Sequence, residues 1–433
     1  MANLIGIRRE DKSKWEARVP LVPDDVRKLI RESGLRFCVQ TSAIRAFTED
    51  QYRAAGAELN DDLSHCPIIM GVKEIPPDKL EAGKTYVYFS HTIKGQTTNM
   101  PALKRLMQLG CQLIDYERIV DDQGRRAVFF GRFAGLAGMI DSLWALGRRL
   151  QHEGIETPFA ELMPAHSYKT LKDAEQAISQ AGDVIKRTGL PAELGPLVCG
   201  FSGYGQVSQG AQEIYDLLPV REVAPEELPS LSSDAKSCIK VVFREEHLAR
   251  PRDDAAAFDL QEYYDHPDRY QADFIRHVPH LTILMNCIYW ERKYPCLINR
   301  SQFKDLYAEA QAARLRVIGD ITCDIDGSLA CTTRATDPGN PVYVYDPQDG
   351  TTKDGIVGNG PVVLAIDFLP AELPIDSSIV FSSTLTPFIA ALANADFTRD
   401  FEDSGLPSAF KRATIVYQGK LTESYRYLES HLS

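Results

Sequence analysis

The chain has 433 residues, 44% of them hydrophobic, with 60 acidic against 48 basic side chains and a net charge of −12. That balance repels nucleic acid and anionic membranes over most of the surface, so an anionic ligand needs a local basic pocket. Single cores stop growing at about 250–300 residues, so two domains are expected. Nine scattered cysteines, without a Cys-x-x-Cys pair or a zinc spacing, argue for a reducing compartment and against a metal. "MANLIGIRREDKSKWE" runs from a short apolar strand straight into charges, unlike a signal or transit peptide. No apolar run approaches the roughly eighteen residues of a membrane span, and a soluble cytoplasmic protein is expected.

Short strand-like runs alternate with helical patterns, the signature of an α/β protein with a parallel sheet. "NLIGIRRE", "FCVQTS", "PIIMGVK", "TYVYFS" and "CQLIDYE" read as strands, with a helix from about Pro23 to Ser33 after the first. "FGRFAGLAGMIDSLWALGRRLQHEG" reads as one long helix between domains, its Gly135, Ala137 and Gly138 permitting close packing. Next come a strand from Pro196 to Gly200, a glycine turn, a helix from about Val207 to Leu218 and a second strand in "PVREVAP". "HLTILMNCIYW" and "RLRVIGDITCD" supply later strands; "PVYVYDP", "PVVLAIDFLPAELP" and a helix near "TPFIAALANA" follow. The tail after about residue 335 is too small for a third domain and is expected to complete the first.

The turn "FSGYGQVSQG" poses the question of a nucleotide. Gly203 and Gly205 suit the tight turn and the close approach of a pyrophosphate, whereas Ser208 stands at the third glycine position, with Gly210 two residues on. Backbone N–H groups of Gln206 and Val207 would face phosphates at the helix N-terminus. A flexible turn before an ordinary helix has the same glycines; the preceding strand, the following helix and Glu222 about twenty residues on favour the nucleotide. Adjacent Arg221 and Glu222 argue both ways over the cofactor, an arginine suiting the extra phosphate of NADP and an acid the ribose hydroxyls of NAD.

In the first domain, Lys73 and Glu74 of "GVKEIP" and His91, Lys94 and Gln96 of "YFSHTIKGQ" lie just beyond strands, where open α/β sheets bind ligands. Taken singly, Lys73 reads equally as a solvated loop lysine and His91 as a strand-end histidine. Glu117 with Arg125 and Arg126, and Glu16 with Arg18, add groups for a polyanionic substrate, since arginine pairs carboxylates bidentately. Glu–Arg pairs that tie loops together are the structural alternative.

The series "RREDKSKWEARVPLVP", "GVKE", "SHTIKGQ", "DYERIVDDQGRR", "FGRFAGLAGM", "GYGQVSQGA", "YYDHPDRY", "NCIYWE", "GDITCDIDGS" and "IDFLPAELP" resembles the lysine-ketoglutarate reductase domain of the bifunctional alpha-aminoadipic semialdehyde synthase family. More distantly it is similar to the lysine-forming saccharopine dehydrogenases, and by fold to alanine dehydrogenase and the transhydrogenase nucleotide domains. The resemblance implies two Rossmann-like domains: a substrate domain over 1–138, an inserted NAD(P)-binding domain over 139–334 and a return segment over 335–433. It implies reductive condensation of L-lysine with 2-oxoglutarate to saccharopine, reversible, with NADP(H) preferred and NAD(H) the alternative. By resemblance, Lys73 is the base at the secondary amine and His91 the acid–base group for the carbinolamine. Arg18, Arg126 and Lys94 would meet carboxylates, Glu16, Glu74 and Glu117 amino groups, and Gln96 and Phe130 the substrate. Arg125, Gly203, Gly205, Gln206, Val207, Ser208, Arg221, Glu222, Asn286, Cys287, Asp320 and Ile321 would meet the cofactor. A cleft that closes would shield the imine from water. The chain stops at "YRYLESHLS", without the dehydrogenase half of the bifunctional enzymes, so a stand-alone reductase, or one whose partner is a separate saccharopine dehydrogenase polypeptide, is expected. The rivals are an opine-type reductase joining another amine and oxo acid, and a nucleotide-binding regulator without catalysis.

Overall fold

The computed structural model describes residues 4–120, 123–232, 234–308 and 314–432. The chain divides into two units, Met1–Phe130 with Pro374–Ser433, and Gly131–Leu373. The return therefore starts at Pro374. The expected start at about 335 is too early, because the strands that follow it pair in the second unit.

In chain order the first unit supplies β1 (Leu4–Ile7), β2 (Arg36–Val39), β3 (Glu58–Leu59), β4 (Ile68–Met70), β5 (Thr85–Tyr88) and β6 (Gln112–Asp115). The second supplies β7 (Leu197–Ser202), β8 (Val220–Glu222), β9 (Cys238–Phe243), β10 (Ala249–Pro251), β11 (Tyr270–Ala272), β12 (Ile283–Asn286), β13 (Val317–Asp320), β14 (Val342–Tyr345), β15 (Thr352–Asp354) and β16 (Val362–Leu364). A returning hairpin, β17 (Thr414–Tyr417) and β18 (Lys420–Leu421), closes the list.

The first sheet runs β18-β17-β6-β5-β4-β1-β2-β3, parallel except for the hairpin, which adds antiparallel to β6. β1, β4, β5 and β6 are buried at every position, as continuous apolar runs in a covered parallel sheet should be. Among the described residues one helix, Pro374–Asn394, is long and apolar enough to cross a membrane by length and composition, a feature the run-length reading passed over. It lies against the first unit's own chain: buried Ser378 and Ser382 accept bonds from the Val19 and Val22 N–H groups (2.9 and 3.0 Å).

The second sheet runs β15-β14-β16-β13-β12-β7-β9-β8; β8 to β16 in that row are parallel, and β14 and β15 add antiparallel. The long helix, Gly131–His152, belongs to this unit and packs on the helix Gln206–Tyr215 that follows the glycine turn. The contact is backbone on backbone: a Cβ on Gly135 would stand 1.9 Å from the Val207 oxygen, and one on Gly210 2.1 Å from the Arg132 oxygen. Gly210 thus performs the packing role of the third glycine. Ser208, at the nominal position, is buried and its hydroxyl accepts from the Gln212 side chain at 2.9 Å.

Asp141 of the long helix and Glu372 are both buried, accepting respectively from the Ala165 N–H (2.7 Å) and the His166 N–H (3.2 Å). Burial pushes Glu372 up to about 7, and burial together with the Glu372 charge pushes Asp141 well up, so Asp141 keeps its proton and donates it to Glu372. A carboxyl whose folded pKa is raised binds protons that the unfolded chain releases, so its stabilisation is complete below about 4.5 and falls as pH rises toward 7. Asp141→Asn keeps the donor and removes the proton demand. Its stability gain in urea denaturation should grow between pH 5 and pH 8, by about 1–3 kcal/mol; a gain that ignores pH would remove the shared proton.

Candidate active site

Lys73 and Glu74 follow β4, and His91 follows β5, so the two segments meet at the carboxyl ends of adjacent parallel strands. Glu74 is the hub. One of its oxygens takes the His91 Nδ1 at 2.7 Å and the Lys12 ammonium at 2.6 Å. Burial alone would raise its carboxyl, but those two bonds bring it down to about 2, so it stays ionised. His91 has φ +49, a left-handed backbone that a non-glycine residue adopts only when its surroundings impose it. The Asn99 side chain, donating to the His91 carbonyl at 3.0 Å, is part of that imposition.

Beside this pair, Glu16 and Arg18 are almost fully buried and joined by two bonds, Nε to Oε1 at 2.7 Å and a terminal nitrogen to Oε2 at 2.6 Å. The Arg18 guanidinium also lies 4.6 Å over the Phe130 ring. Phe130 packs in turn against Phe89 and Phe381. Burial would raise the Glu16 carboxyl; Arg18, with help from Lys73, holds it below its usual range. The half-buried Lys73 ammonium is pushed down, first by burial and then by Arg18, against the pull of Glu16 and Glu74. Glu16, Arg18, Lys73, Glu74 and His91 therefore form one electrostatic cluster.

The remaining expected substrate residues are placed less tightly. Arg126 reaches Glu117 at 3.7 Å and lies over the Phe129 ring at 5.3 Å. Lys94 and Gln96 are exposed in the turn after His91, and Arg125 is exposed with Gln123 as a bonding partner at 3.4 Å.

Two acids outside the expected set hold the cluster's backbone. Buried Glu10 accepts from the N–H groups of Val72 (2.7 Å) and Lys73 (3.0 Å), and burial pushes it up to about 7. Buried Asp115, at the end of β6, accepts from the N–H groups of Ser90 (3.1 Å) and Glu117 (2.8 Å), and burial raises it to about 6. Each fixes the chain next to a candidate catalytic side chain. The fold also gathers Cys38, His65 and Cys66, whose donor atoms lie within 4.8 Å of one another, a grouping that spacing along the chain does not suggest.

In the second unit, Gly203 has φ +88 and its N–H donates to the Phe243 carbonyl at 2.9 Å. At Gly205 the space a Cβ would occupy is open. The first intrahelical bond runs from the Gln209 N–H to the Gly205 carbonyl, so the N–H groups of Gln206, Val207 and Ser208 precede the helix ladder. An anion can approach there without displacing a side chain, and the turn fits a dinucleotide pyrophosphate.

Other expected cofactor contacts are engaged elsewhere. The Asn286 side chain is buried, donating to Asp320 and Ser328 (2.8 Å each) and accepting from Ser202 (2.8 Å). Asn286 and Asp320 thereby lace together the carboxyl ends of β7, β12 and β13, both of them buried. Burial brings Asp320 up to about 6. Cys287 is buried and its thiol is pushed up by that burial; Ile321 packs on Gly138. Arg221 and Glu222 are both exposed at the end of β8, and β8 does not adjoin β7: β9 lies between them. Glu222 pairs with Lys240 of β9 at 3.1 Å.

Two α/β sheets on a discontinuous and an inserted unit, with a glycine turn after the first strand of the insertion, form an alanine dehydrogenase-like fold of two Rossmann-like domains. Residues 6–137 match the family model of the alanine dehydrogenase/PNT N-terminal domain. A solved L-alanine dehydrogenase superposes over 99% of this chain and 100% of its own, with TM-score 0.63 at 17% identity. By sequence the chain is similar to the alpha-aminoadipic semialdehyde synthase of Arabidopsis thaliana, 36% identical over 98% of this chain and 41% of that protein. It is likewise similar to the mitochondrial synthase of Bos taurus, 37% identical over 98% of this chain and 47% of the relative. The chain thus spans less than half the length of these relatives. Saccharopine dehydrogenase [NAD(+), L-lysine-forming] of Emericella nidulans is 27% identical over 92% of this chain and 94% of its own. The resemblance carried by the motifs extends over nearly the whole chain.

Proposed function

We propose that the protein is an NAD(P)-dependent oxidoreductase that joins the ε-amine of L-lysine to the oxo carbon of 2-oxoglutarate and reduces the resulting imine to saccharopine, reversibly. The observation that carries this reading is the cluster of Lys73, Glu74, His91, Glu16 and Arg18 on a chain similar throughout to the synthases. Bound NAD(P)H supplies the hydride, and the turn at Gly203 and Gly205 with the N–H groups of Gln206 and Val207 would hold its pyrophosphate.

This chain's own residues manage protons and charge. Glu74 takes the Nδ1 side of His91, leaving the Nε2 edge for proton exchange with the carbinolamine oxygen as water leaves or enters. Lys73, its ammonium made more acidic by burial and by Arg18, gives its proton to the nitrogen as the imine is reduced, and takes it back when saccharopine is oxidised. Arg126, exposed at the rim, suits a substrate carboxylate. The preferred cofactor on this reading is NADP(H), with NAD(H) as the alternative, and a separate saccharopine dehydrogenase is the proposed partner. The protein is proposed to work in the cytoplasm.

A panel of amines and 2-oxo acids, each followed by nucleotide oxidation, tests the reading. Turnover should need both L-lysine and 2-oxoglutarate. Faster turnover with another amine or oxo acid would make it an opine-type reductase, and nucleotide binding without turnover on any pair would make it a regulator.

A further inference from the structure

We infer that Arg244 reads the 2′-phosphate of the nucleotide's adenosine ribose, and that Arg221 and Glu222 have no part in cofactor choice. This rests on the nucleotide reading of the Gly203 turn given above.

In a dinucleotide-binding sheet the ribose is recognised about twenty residues after the glycine turn, by the residues ending the strand beside the first one. Counting along the chain leads to β8, which ends in Arg221 and Glu222. The sheet is ordered differently. β9 pairs with β7 along its whole length, from Leu197 opposite Cys238 to Ser202 opposite Phe243, and β8 pairs only with the far side of β9. The strand neighbouring the turn is therefore the third in chain order, and its carboxyl end is Phe243 followed by Arg244. The Gly203 N–H bonded to the Phe243 carbonyl (2.9 Å) locks that end to the turn itself.

Arg244 is exposed, and its guanidinium lies 4.8 Å over the ring of Tyr204, the residue between the two glycines. No ion pair joins Arg244 to a carboxylate among the described residues, so its charge is available to a phosphate. Its neighbour Glu245 is the acid that would otherwise accept the ribose hydroxyls of NAD. One oxygen of that carboxylate, Oε1, accepts from two phenols, Tyr264 at 2.7 Å and Tyr204 at 3.4 Å. Glu222 is paired with Lys240 across β8 and β9, while Glu246, next along the chain and exposed, reaches Tyr204 through its charge. An arginine stacked on the turn's own tyrosine without an ion pair, with Glu222 drawn away to Lys240, favours the phosphorylated ribose.

The experiment measures NADPH and NADH affinity by the fluorescence of the bound nucleotide in the wild type, Arg244→Ala and Arg221→Ala, with 2′,5′-ADP and 5′-AMP as competitors. Arg244→Ala should weaken NADPH and 2′,5′-ADP by about 10- to 100-fold, the loss of one charge-assisted contact. NADH and 5′-AMP should change less than about twofold, and Arg221→Ala should leave all four affinities near the wild type. A wild type that prefers NADH, equal losses for both nucleotides in Arg244→Ala, or the selective loss appearing in Arg221→Ala would overturn the inference. A wild type that binds neither nucleotide would overturn the underlying reading and this inference with it. Selective NADPH binding without lysine-dependent turnover would fail the substrate assignment alone.

Discussion

Lys73→Met should lower turnover by about two to four decades, the usual worth of a general acid–base group, with folding intact. Lys73 is half-buried on a loop whose backbone is held by Glu10 through the Val72 and Lys73 N–H groups, and the side chain carries none of those bonds. Methionine keeps the length and the burial. The pH profile separates a catalytic role from a structural one. Burial and Arg18 lower the Lys73 pKa, so saccharopine oxidation, which needs the free amine, should rise with pH through a value below that of an ordinary lysine. The variant should lose that limb along with its rate. His91→Gln should fall by a similar factor, because glutamine can bond Glu74 but cannot shuttle a proton. Stopped-flow turnover with both variants, checked by circular dichroism, decides the matter, and near-normal rates in either would remove it from the chemistry.

The site was legible where residue type and strand end coincide. Lys73, Glu74 and His91 follow apolar runs that fold as β4 and β5, and parallel strands bring their carboxyl ends together. Glu10 and Asp115 were not legible, because a buried acid bonded to backbone N–H groups carries no mark in the sequence; only the position of Asp115 at the end of "CQLIDYE" hints at it. The larger omission was β9. "CIKVVF" is a plain strand run, and passing over it made β8 the neighbour of β7 by default. Pairing order is a tertiary property: it depends on where each strand finds an open edge, which spacing along the chain does not encode. The same limit explains the return segment, since β14 to β16 extend the second sheet at the edge of β13, and the buried network of Asn286 and Asp320, whose motif positions suggested ligand contact.

Arg18→Ala should destabilise the first unit by about 3–5 kcal/mol, the usual cost of removing one partner of a buried ion pair. The sequence offers Arg18 as a free hand for a substrate carboxylate. In the structure both oxygens of Glu16 are bonded to it, at 2.7 and 2.6 Å, and both side chains are buried. Without Arg18 the Glu16 carboxylate would be left with Lys73 as its nearby positive charge, in a place where burial alone favours the neutral acid. The Phe130 ring would lose the guanidinium stacked over it. Adding Glu16→Gln removes the stranded charge, so the double variant should recover much of the stability and permit kinetics. Arg18 also depresses the Lys73 pKa, and its loss should move the alkaline limb of saccharopine oxidation to higher pH. Urea denaturation of the single and double variants, followed by pH profiles of the double, separates three roles. A single variant as stable as the wild type would make the pair energetically idle. Because Glu16 raises the Lys73 pKa as Arg18 lowers it, the limb of the double is read against Glu16→Gln alone, and no difference between those two would confine Arg18 to holding Glu16. Recovered stability together with a limb shifted to higher pH relative to Glu16→Gln would give Arg18 both duties, supporting the loop and tuning the base beside it, and a raised Michaelis constant for 2-oxoglutarate would add a substrate carboxylate to them.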